Sequence, residues 1–453
     1  VSGHPALDAL RSALGDAVST EAGELEAMRS DYSGLRREGT PLAIVHARTA
    51  GDVQAALRIA SEHRLPVVPR GAGTGLTGGA MGGAGELVLS TARMTRVLEI
   101  SPADQLAVVE PGVINADLNA QLAPHGLFFA PDPASRAIST IGGNIATNAG
   151  GLLCAKYGVT REAVLGLKVV LADGTLLELG HRTVKGVTGL DLTALMIGSE
   201  GTLGIVVEAT LKLVPLPTGS PATIGAYFPS VVAAAAASAA ITAERLRPAA
   251  MELIDEVALA RILRHLGLPE RAPGSAYLLV QTDGASALAE AERALQLVRE
   301  HGGEASLTTD VDEGERMLAV RRAFHPAMAA TGGVLIEDVA VPRSALPAML
   351  AEIRAIGARF GLEIPTVAHA GDGNLHPNFL FTGDEPPAAV WEAAGELFRA
   401  AVRLGGTLTG EHGVGTLKRQ WLEEELGAPQ LQLQRRIKAV FDPLGILNPG
   451  KVF

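Results

Sequence analysis

The chain alternates stretches of helical apolar spacing with short apolar runs typical of strands. Over residues 5–29 apolar side chains recur at Leu7, Leu10, Leu14 and Val18, the spacing of one amphipathic helix or two in succession. Thr49 stands three residues before Asp52, a capping-box spacing that opens a helix over 53–63 with Val53, Leu57 and Ala60 on its apolar face. Strands are predicted at 65–68, 87–90, 97–100 and 106–109, and a helix at 115–122. The Gly-rich segment 141–151 (IGGNIATNAGG) reads as a loop. Apolar runs at 164–171 and 176–179 flank Ala172-Asp173-Gly174 and predict a hairpin with a type I′ turn, because Asp-Gly supplies the positive φ. A strand over 205–213 ends at VPLPTGSP (214–221), whose prolines and lack of periodicity mark a domain boundary.

Past that boundary, strands (226–228, 276–282, 335–341) alternate with Ala-rich helices (231–244, 285–301, 345–360). This is the pattern of an open antiparallel sheet covered by helices. A closing helix over 429–441 leads into a Pro/Gly-punctuated tail. The predicted class is α+β. Four segments are expected: an N-terminal helical segment 1–40, a cofactor domain 41–216, a substrate cap 217–404, and a C-terminal segment 405–453 that returns to the cofactor domain.

At 453 residues the chain has room for two or three domains. Its formal net charge is −11 and it has no dense Lys/Arg run, which argues against a nucleic-acid partner. The single cysteine, Cys154, excludes an intramolecular disulfide framework and any four-cysteine cluster. The longest weakly polar run, 231–241, is too short to cross a bilayer. The first residues lack the basic and apolar blocks of a signal peptide. The expected location is the cytoplasm, with peripheral attachment at the inner membrane face as the variant of that reading.

Gly73-Thr-Gly75-Leu-Thr-Gly78 fits the GxGxxG pattern, yet it is not a dinucleotide finger. That motif needs a helix after its third glycine, whereas Gly78 is followed by Gly79, Ala80, Met81, Gly82 and Gly83. No Lys-Ser/Thr follows, so it is not a P-loop either. What remains is a run of unhindered backbone N–H groups able to cradle an anion. Farther on, His369 and His376 lie seven apart around Gly-Asp-Gly-Asn. On one unbroken strand they would face opposite ways, but the turn can fold them toward one ion. Glu411, thirty-five residues after His376, adds a carboxylate. Two imidazoles and one carboxylate suit Zn or Mn with open positions. His412 is either a base for a hydroxyl proton or a hydrogen-bonding support. Asn378 either supports the site or touches substrate.

Six strings in order, PVVPRGAGTGLTGGA (66–80), IGGNIATNAGG (141–151), IGSEGTLGIV (197–206), AHAGDGNLHPNF (368–379), GEHGVGTLKR (410–419) and LNPGKVF (447–453), give the chain a family likeness. It resembles the FAD-binding D-2-hydroxyacid dehydrogenase branch of the vanillyl-alcohol-oxidase-type flavoproteins. The branch includes the glycolate oxidase D subunit, D-lactate dehydrogenase and D-2-hydroxyglutarate dehydrogenase. The resemblance implies a two-subdomain FAD domain and an antiparallel-sheet, helix-covered substrate cap. It implies that Arg70, Gly71, Ala72, Gly73, Thr74, Gly75, Leu76 and Thr77 wrap the FAD pyrophosphate. Pro131, Ser135, Gly142, Gly143, Asn144 and Thr147 would lie along the pyrophosphate and isoalloxazine. Glu200, Gly201, Gly204, Ile205 and Val206 would meet the ribityl and adenine side, and Asn448 and Lys451 would return from the tail. The loop 71–79 has no His, so FAD is expected to be non-covalent.

The likeness also assigns the substrate carboxylate to Arg321, with Arg322 as fallback, and sets His325 in the substrate region. It makes His369, His376 and Glu411 the metal ligands and His412 the base. The 2-hydroxyglutarate enzymes carry a Lys where this chain has Ile336, which favours glycolate or D-lactate over 2-hydroxyglutarate. Lys156 and Tyr157 are expected to be structural. The implied reaction is metal-assisted oxidation of a D-2-hydroxy acid to the 2-oxo acid, with hydride passing to flavin N5. Electrons would leave to a quinone, an electron-transfer flavoprotein or an iron–sulfur subunit, and a homodimer is compatible. The competing readings are an oxygen-using FAD oxidase of a sugar or aromatic alcohol, and a non-catalytic flavin-binding subunit of a glycolate oxidase-like complex.

Overall fold

The computed structural model describes residues 3–330, 332–383 and 385–453. The chain divides into two compact units. One comprises 1–150, 158–216 and 411–453; the other comprises 151–157 and 217–410.

The first unit holds two larger sheets. Strands Val18–Ser19, Ala43–His46, Leu87–Ser90 and Val67–Arg70 form the first sheet in that order, with parallel pairing among the last three. Helix Ala50–Glu62 packs on it through Val53, Ala56, Leu57 and Ala60. It starts at the capping box anticipated from sequence, where Thr49 accepts from the Asp52 amide and Asp52 accepts from the Thr49 amide. The helical pattern at the N-terminus resolves into two helices, Pro5–Leu14 and Ala22–Ala27. The second sheet is antiparallel, in the order Val97–Ser101, Leu106–Val109, Ile205–Lys212, Val164–Val170, Leu176–Gly180.

Two local expectations need correction. Residues 141–151 are not wholly a loop, because Ile141–Thr147 is a helix. Thr140 caps it by accepting from the Gly143 amide, and Asn148 ends it in the left-handed conformation. Burial of Ile141 and Ile145 outweighs the poor helix propensity of two glycines. The hairpin at 164–180 exists, but its turn is not type I′, which needs positive φ at both central residues. Only Gly174 has it; the Gly174 amide bonds to the Leu171 carbonyl and the Leu171 amide to the Thr175 carbonyl, a turn followed by a glycine bulge.

The second unit is built on one sheet. Its order is Glu304–Thr308, Ala222–Phe228, Ala276–Thr282, Ala250–Ile254, Thr366–His369, Asn374–Phe381, Gly333–Ile336, with Val339–Ala340 also pairing to Asn374–Phe381. Among the described residues every pairing in it is antiparallel. The single strand expected over 335–341 is interrupted at Glu337 and Asp338. The interior strand Ala276–Thr282 is buried on both faces. On one face Tyr277, Leu279, Ile254 and Val367 pack with Leu259, Ile262, Leu318, Phe324 and Met328 from the covering helices. Helices Val231–Ala243 and Ala287–Glu300 pack against each other and against the same sheet. The closing helix spans Leu422–Phe441 and is broken at Gly427, so its regular part begins near the anticipated Pro429.

Gly142 shows how tightly the cofactor unit is drawn together. Its amide donates to the Pro111 carbonyl, and a Cβ there would stand 2.6 Å from Pro111 Cβ. Gly142→Ala should therefore destabilise the protein by about 1–3 kcal/mol despite alanine's higher helix propensity. Chemical denaturation followed by far-UV circular dichroism reads this directly; an unchanged or raised midpoint would refute the close packing.

Candidate active site

Register in the second unit decides which side chains share a face. Thr366–His369 and Asn374–Phe381 form a hairpin in which Val367 opposes His376 and His369 opposes Asn374. Val367 and His369 are two apart, so His369 and His376 project to the same face. Their ring centroids are 5.0 Å apart in a T-shaped arrangement. The same ladder adds Glu252, paired with His369, and Asn378, paired with Ile336. The face thus has an apolar part under helices and a polar part made of Glu252, His369, Asn374, His376 and Asn378, all buried.

Glu252, His369, Asn374 and Asn378 are each hydrogen-bonded. Glu252 Oε1 accepts from His369 Nδ1 at 2.7 Å, and its Oε2 accepts from Arg321 Nε at 2.7 Å. With Nδ1 protonated, His369 keeps its lone pair on Nε2. Asn374 donates to Asp338, whose other carboxylate oxygen accepts from Thr409 Oγ1 at 2.7 Å and from the Gly410 amide at 2.8 Å. His376 Nδ1 lies 3.9 Å from Asp338 Oδ1. Glu411 follows Gly410 directly, so its place is set by that anchor. Ligand atoms of His369, His376 and Glu411 all lie within 4.8 Å of one another. Of the two candidate arginines, Arg321 reaches this cluster and Arg322 pairs instead with Glu315 in an exposed bridge. His325 is exposed on the helix Phe324–Ala329. Lys156 and Tyr157 both bind the Asp283 carboxylate.

In the first unit the Gly-rich loop follows strand Val67–Arg70 and contains no helix. Among the described residues none accepts a hydrogen bond from the amides of 71–79. The C-terminal segment is sewn to this loop. The amides of Thr416 and Leu417 donate to the Thr77 carbonyl, Thr77 Oγ1 reaches the His412 carbonyl at 3.4 Å, and Lys451 Nζ donates to the Met81 carbonyl at 2.7 Å. Asn448 Nδ2 donates to the carbonyls of Gly79 and Glu200. Arg70 turns inward to the carbonyls of Ser30 and Ala80. Burial lowers the pKa of Lys451 to about 8.

Glu200, at positive φ beside Gly201, is buried and accepts from the amides of Val414 and Gly415 at 2.7 and 2.9 Å. Burial raises its pKa to about 7 against those two donors. It therefore anchors the loop carrying His412, whose Nε2 lies 3.9 Å from Glu411 Oε1. Asn144 is engaged internally, between Asn115 and Ser139, and Asn115 also donates to the Pro131 carbonyl. Ser135 is half-buried, its carbonyl accepting from Ile138 and Ser139, and Thr147 Oγ1 donates to the Gly143 carbonyl. Gly204, Ile205 and Val206 enter the strand Ile205–Lys212.

Residues 41–180 match the family described as FAD binding domain, and residues 220–452 the family described as FAD linked oxidases, C-terminal domain. The chain belongs to the FAD-linked oxidases. It is 41% identical to "Glycolate oxidase subunit GlcD" of Bacillus subtilis, over 92% of this chain and 90% of that protein. It is 36% identical to "D-2-hydroxyglutarate dehydrogenase" of Stutzerimonas stutzeri, over 96% of each. It is 34% identical to "D-lactate dehydrogenase" of Anaerostipes hadrus, over 93% of this chain and 91% of that one. A solved structure of p-cresol methylhydroxylase with substrate bound superposes with TM-score 0.80 at 19% identity, covering 99% of this chain and 96% of that one. That likeness shows the fold, the vanillyl-alcohol-oxidase type.

The residues of this FAD-linked oxidase fit the cofactor. Among the described residues the amides of 71–79 offer donors without acceptors, and the buried Oδ1 atoms of Asn115 and Asn448 have no partner. Sequence reasoning missed Glu252, Asp338, Asn374 and Asn115. The available signal was an acid inside an apolar run, as in MELI and LIEDVAV, which only a specific partner can stabilise.

Replacing Glu200 by Ala removes the acceptor of two buried amides, an expected local loss of about 1–3 kcal/mol. Hydrogen exchange at Val414 and Gly415 should accelerate roughly tenfold or more. Unaltered protection there would show that the anchor contributes nothing.

Proposed function

We propose that this protein oxidises a D-2-hydroxy acid to the 2-oxo acid with FAD and a divalent metal, Zn or Mn, held by His369, His376 and Glu411. Glycolate and D-lactate fit better than 2-hydroxyglutarate. The observation that carries the reading is the gathering of two imidazoles and a carboxylate within 4.8 Å. Two neutral nitrogens and one anionic oxygen satisfy such an ion while leaving positions for a substrate.

FAD, when bound, would supply the two-electron acceptor for the hydride leaving the substrate carbon. A bound divalent cation supplies Lewis acidity that lowers the cost of deprotonating a hydroxyl. Arg321, with Nε committed to Glu252, offers its two terminal amino groups to the substrate carboxylate as a bidentate clamp. His412, next in the chain to Glu411, takes the hydroxyl proton. Asn378, fully buried with an Oδ1 that has no partner among the described residues, supports the metal site or meets the substrate. Ile336, in register with Asn378, gives the face an apolar side chain where a second carboxylate would need a cation. The exposure of His325 favours a peripheral part in substrate binding.

FAD is held non-covalently, since 71–79 contain no His to attach it. Relatives named as glycolate oxidase subunits support a reading in which a partner protein, a quinone or an electron-transfer flavoprotein takes the electrons, and a homodimer is compatible. No described helix is long and apolar enough to cross a membrane, which fits a cytoplasmic protein or one attached peripherally.

Anaerobic mixing should bleach the flavin with D-lactate or glycolate and not with L-lactate. Prior dialysis against EDTA should abolish the bleaching, and added Zn²⁺ or Mn²⁺ should restore it. Bleaching by the L-isomer alone, or indifference to chelation, would overturn the proposal. His412→Asn should lower the bleaching rate about 10²–10⁴-fold; a near-normal rate would remove His412 as the base.

A further inference from the structure

Glu252 is a fully buried carboxylate to which the proposed chemistry gives no direct task. It lies in the otherwise apolar strand Ala250–Ile254, in register with Leu279 on one side and His369 on the other. Burying such a group is costly, and a buried ion pair is often replaceable by apolar side chains without loss of stability. Its bonding suggests what it does instead. One oxygen accepts from His369 Nδ1 and the other from Arg321 Nε, each at 2.7 Å.

Both bonds select which atoms of the partner Glu252 engages and which point away from it. Holding Nδ1–H leaves His369 with Nε2 as its lone-pair nitrogen, the form that can ligate a cation. Holding Nε–H leaves Arg321 its two terminal amino groups, one edge of the guanidinium that matches a carboxylate with two parallel hydrogen bonds. A 2-hydroxy acid carries its hydroxyl and carboxylate on adjacent carbons, so the cation and the anion receptor must stand at a fixed offset. A single side chain bonded to both is a direct way to set that offset.

We propose that Glu252 is a positioning residue that sets the metal-ligating form of His369 and the carboxylate-gripping edge of Arg321 together. The inference rests on the function proposed above.

Glu252→Gln is the test, because it preserves size while replacing one acceptor by a donor. His369 Nδ1–H and Arg321 Nε–H are both donors, so glutamine can satisfy only one of them. Chelator-treated wild-type and variant proteins, with FAD bound, are titrated with Mn²⁺ alone by calorimetry. Steady-state KM and kcat are then measured with D-lactate, alongside FAD content and thermal unfolding. The expected result is a Kd for Mn²⁺ raised about 10–100-fold and a KM raised roughly tenfold in the same variant. FAD content should stay near wild type, while the unfolding temperature falls because the neutral side chain leaves Arg321 without its buried counter-charge. Arg321→Lys should raise KM while leaving Mn²⁺ affinity unchanged, which separates the two arms.

Glu252→Asp keeps the charge on a shorter arm that cannot span both partners, and should shift both constants in the same direction. It carries the test if the glutamine variant does not fold. Wild-type protein that binds Mn²⁺ and oxidises D-lactate, with Kd and KM unaltered in the folded variant, would overturn the positioning role alone. A change confined to unfolding temperature and FAD content would overturn it equally. Wild-type protein that binds no Mn²⁺ would overturn the metal reading itself and this inference with it.

Discussion

The register between Thr366–His369 and Asn374–Phe381 is the constraint on which the second unit's chemistry depends. In an antiparallel ladder a slip of one residue moves every side chain of a strand to the other face. With Val367 opposite His376, both histidines, Glu252 and Asn378 share one face. After a single slip His376 and Asn378 would project away from His369. The slip is opposed by the rest of the face, because Val367, Ile254, Tyr277 and Leu279 pack under the helices carrying Leu318 and Phe324. Packing of the apolar part therefore holds the alignment of the polar part. The helix that contributes Leu318 also contributes Arg321, one turn further on, so the same docking delivers the guanidinium to Glu252.

In the first unit the corresponding constraint is electrostatic. The chain has a net charge of −11, yet it must hold a diphosphate. The two basic residues built into the loop region do not present free charge. Arg70 is turned to the carbonyls of Ser30 and Ala80, and Lys451 to the carbonyl of Met81. Burial lowers the pKa of both, that of Lys451 to about 8. Both side chains fix the loop through these bonds, and among the described residues the amides of 71–79 have no acceptor. Amide dipoles hold an anion without adding a titratable charge. Rigidity then matters more than charge, which accounts for the C-terminal segment being tied to the loop at Thr77, Gly79 and Met81.

Much of this was legible in the sequence, and the exceptions share a physical origin. Elements with a strong local signal, such as the capped helix at Thr49 or the helix Asn115–Leu122, stand as the periodicity predicts. The break in the Rossmann analogy after Gly78 was legible because four glycines within residues 78–83 cannot sustain a helix. The helix Ile141–Thr147 was not, since its stability comes from a capping threonine and tertiary burial of two isoleucines that outweigh its glycines. The turn at 171–175 was misjudged because Asp-Gly fixes positive φ only at the glycine when a bulge absorbs the extra residue. His369 and His376 could be paired from their spacing around a turn. Glu252 could not be placed with them, because strand partners more than a hundred residues apart leave no periodic trace.

The polar row also bears on how such a site persists in evolution-neutral thermodynamic terms. Each carboxylate in it, Glu252 and Asp338, has both oxygens engaged by donors from separate chain segments. A buried carboxylate with both oxygens engaged offsets much of its desolvation and holds its partners in a single arrangement. The segments joined in this way include Ala250–Ile254, Val311–Arg322, Thr366–His369, Asn374–Phe381 and residues 407–410. Loss of any one partner strands a buried charge, so the energetic penalty falls on the whole set at once. That coupling makes the arrangement of Glu252, His369, Asn374 and Asp338 a property of the sheet as a unit, since each bond joins strands or segments that the sequence keeps far apart.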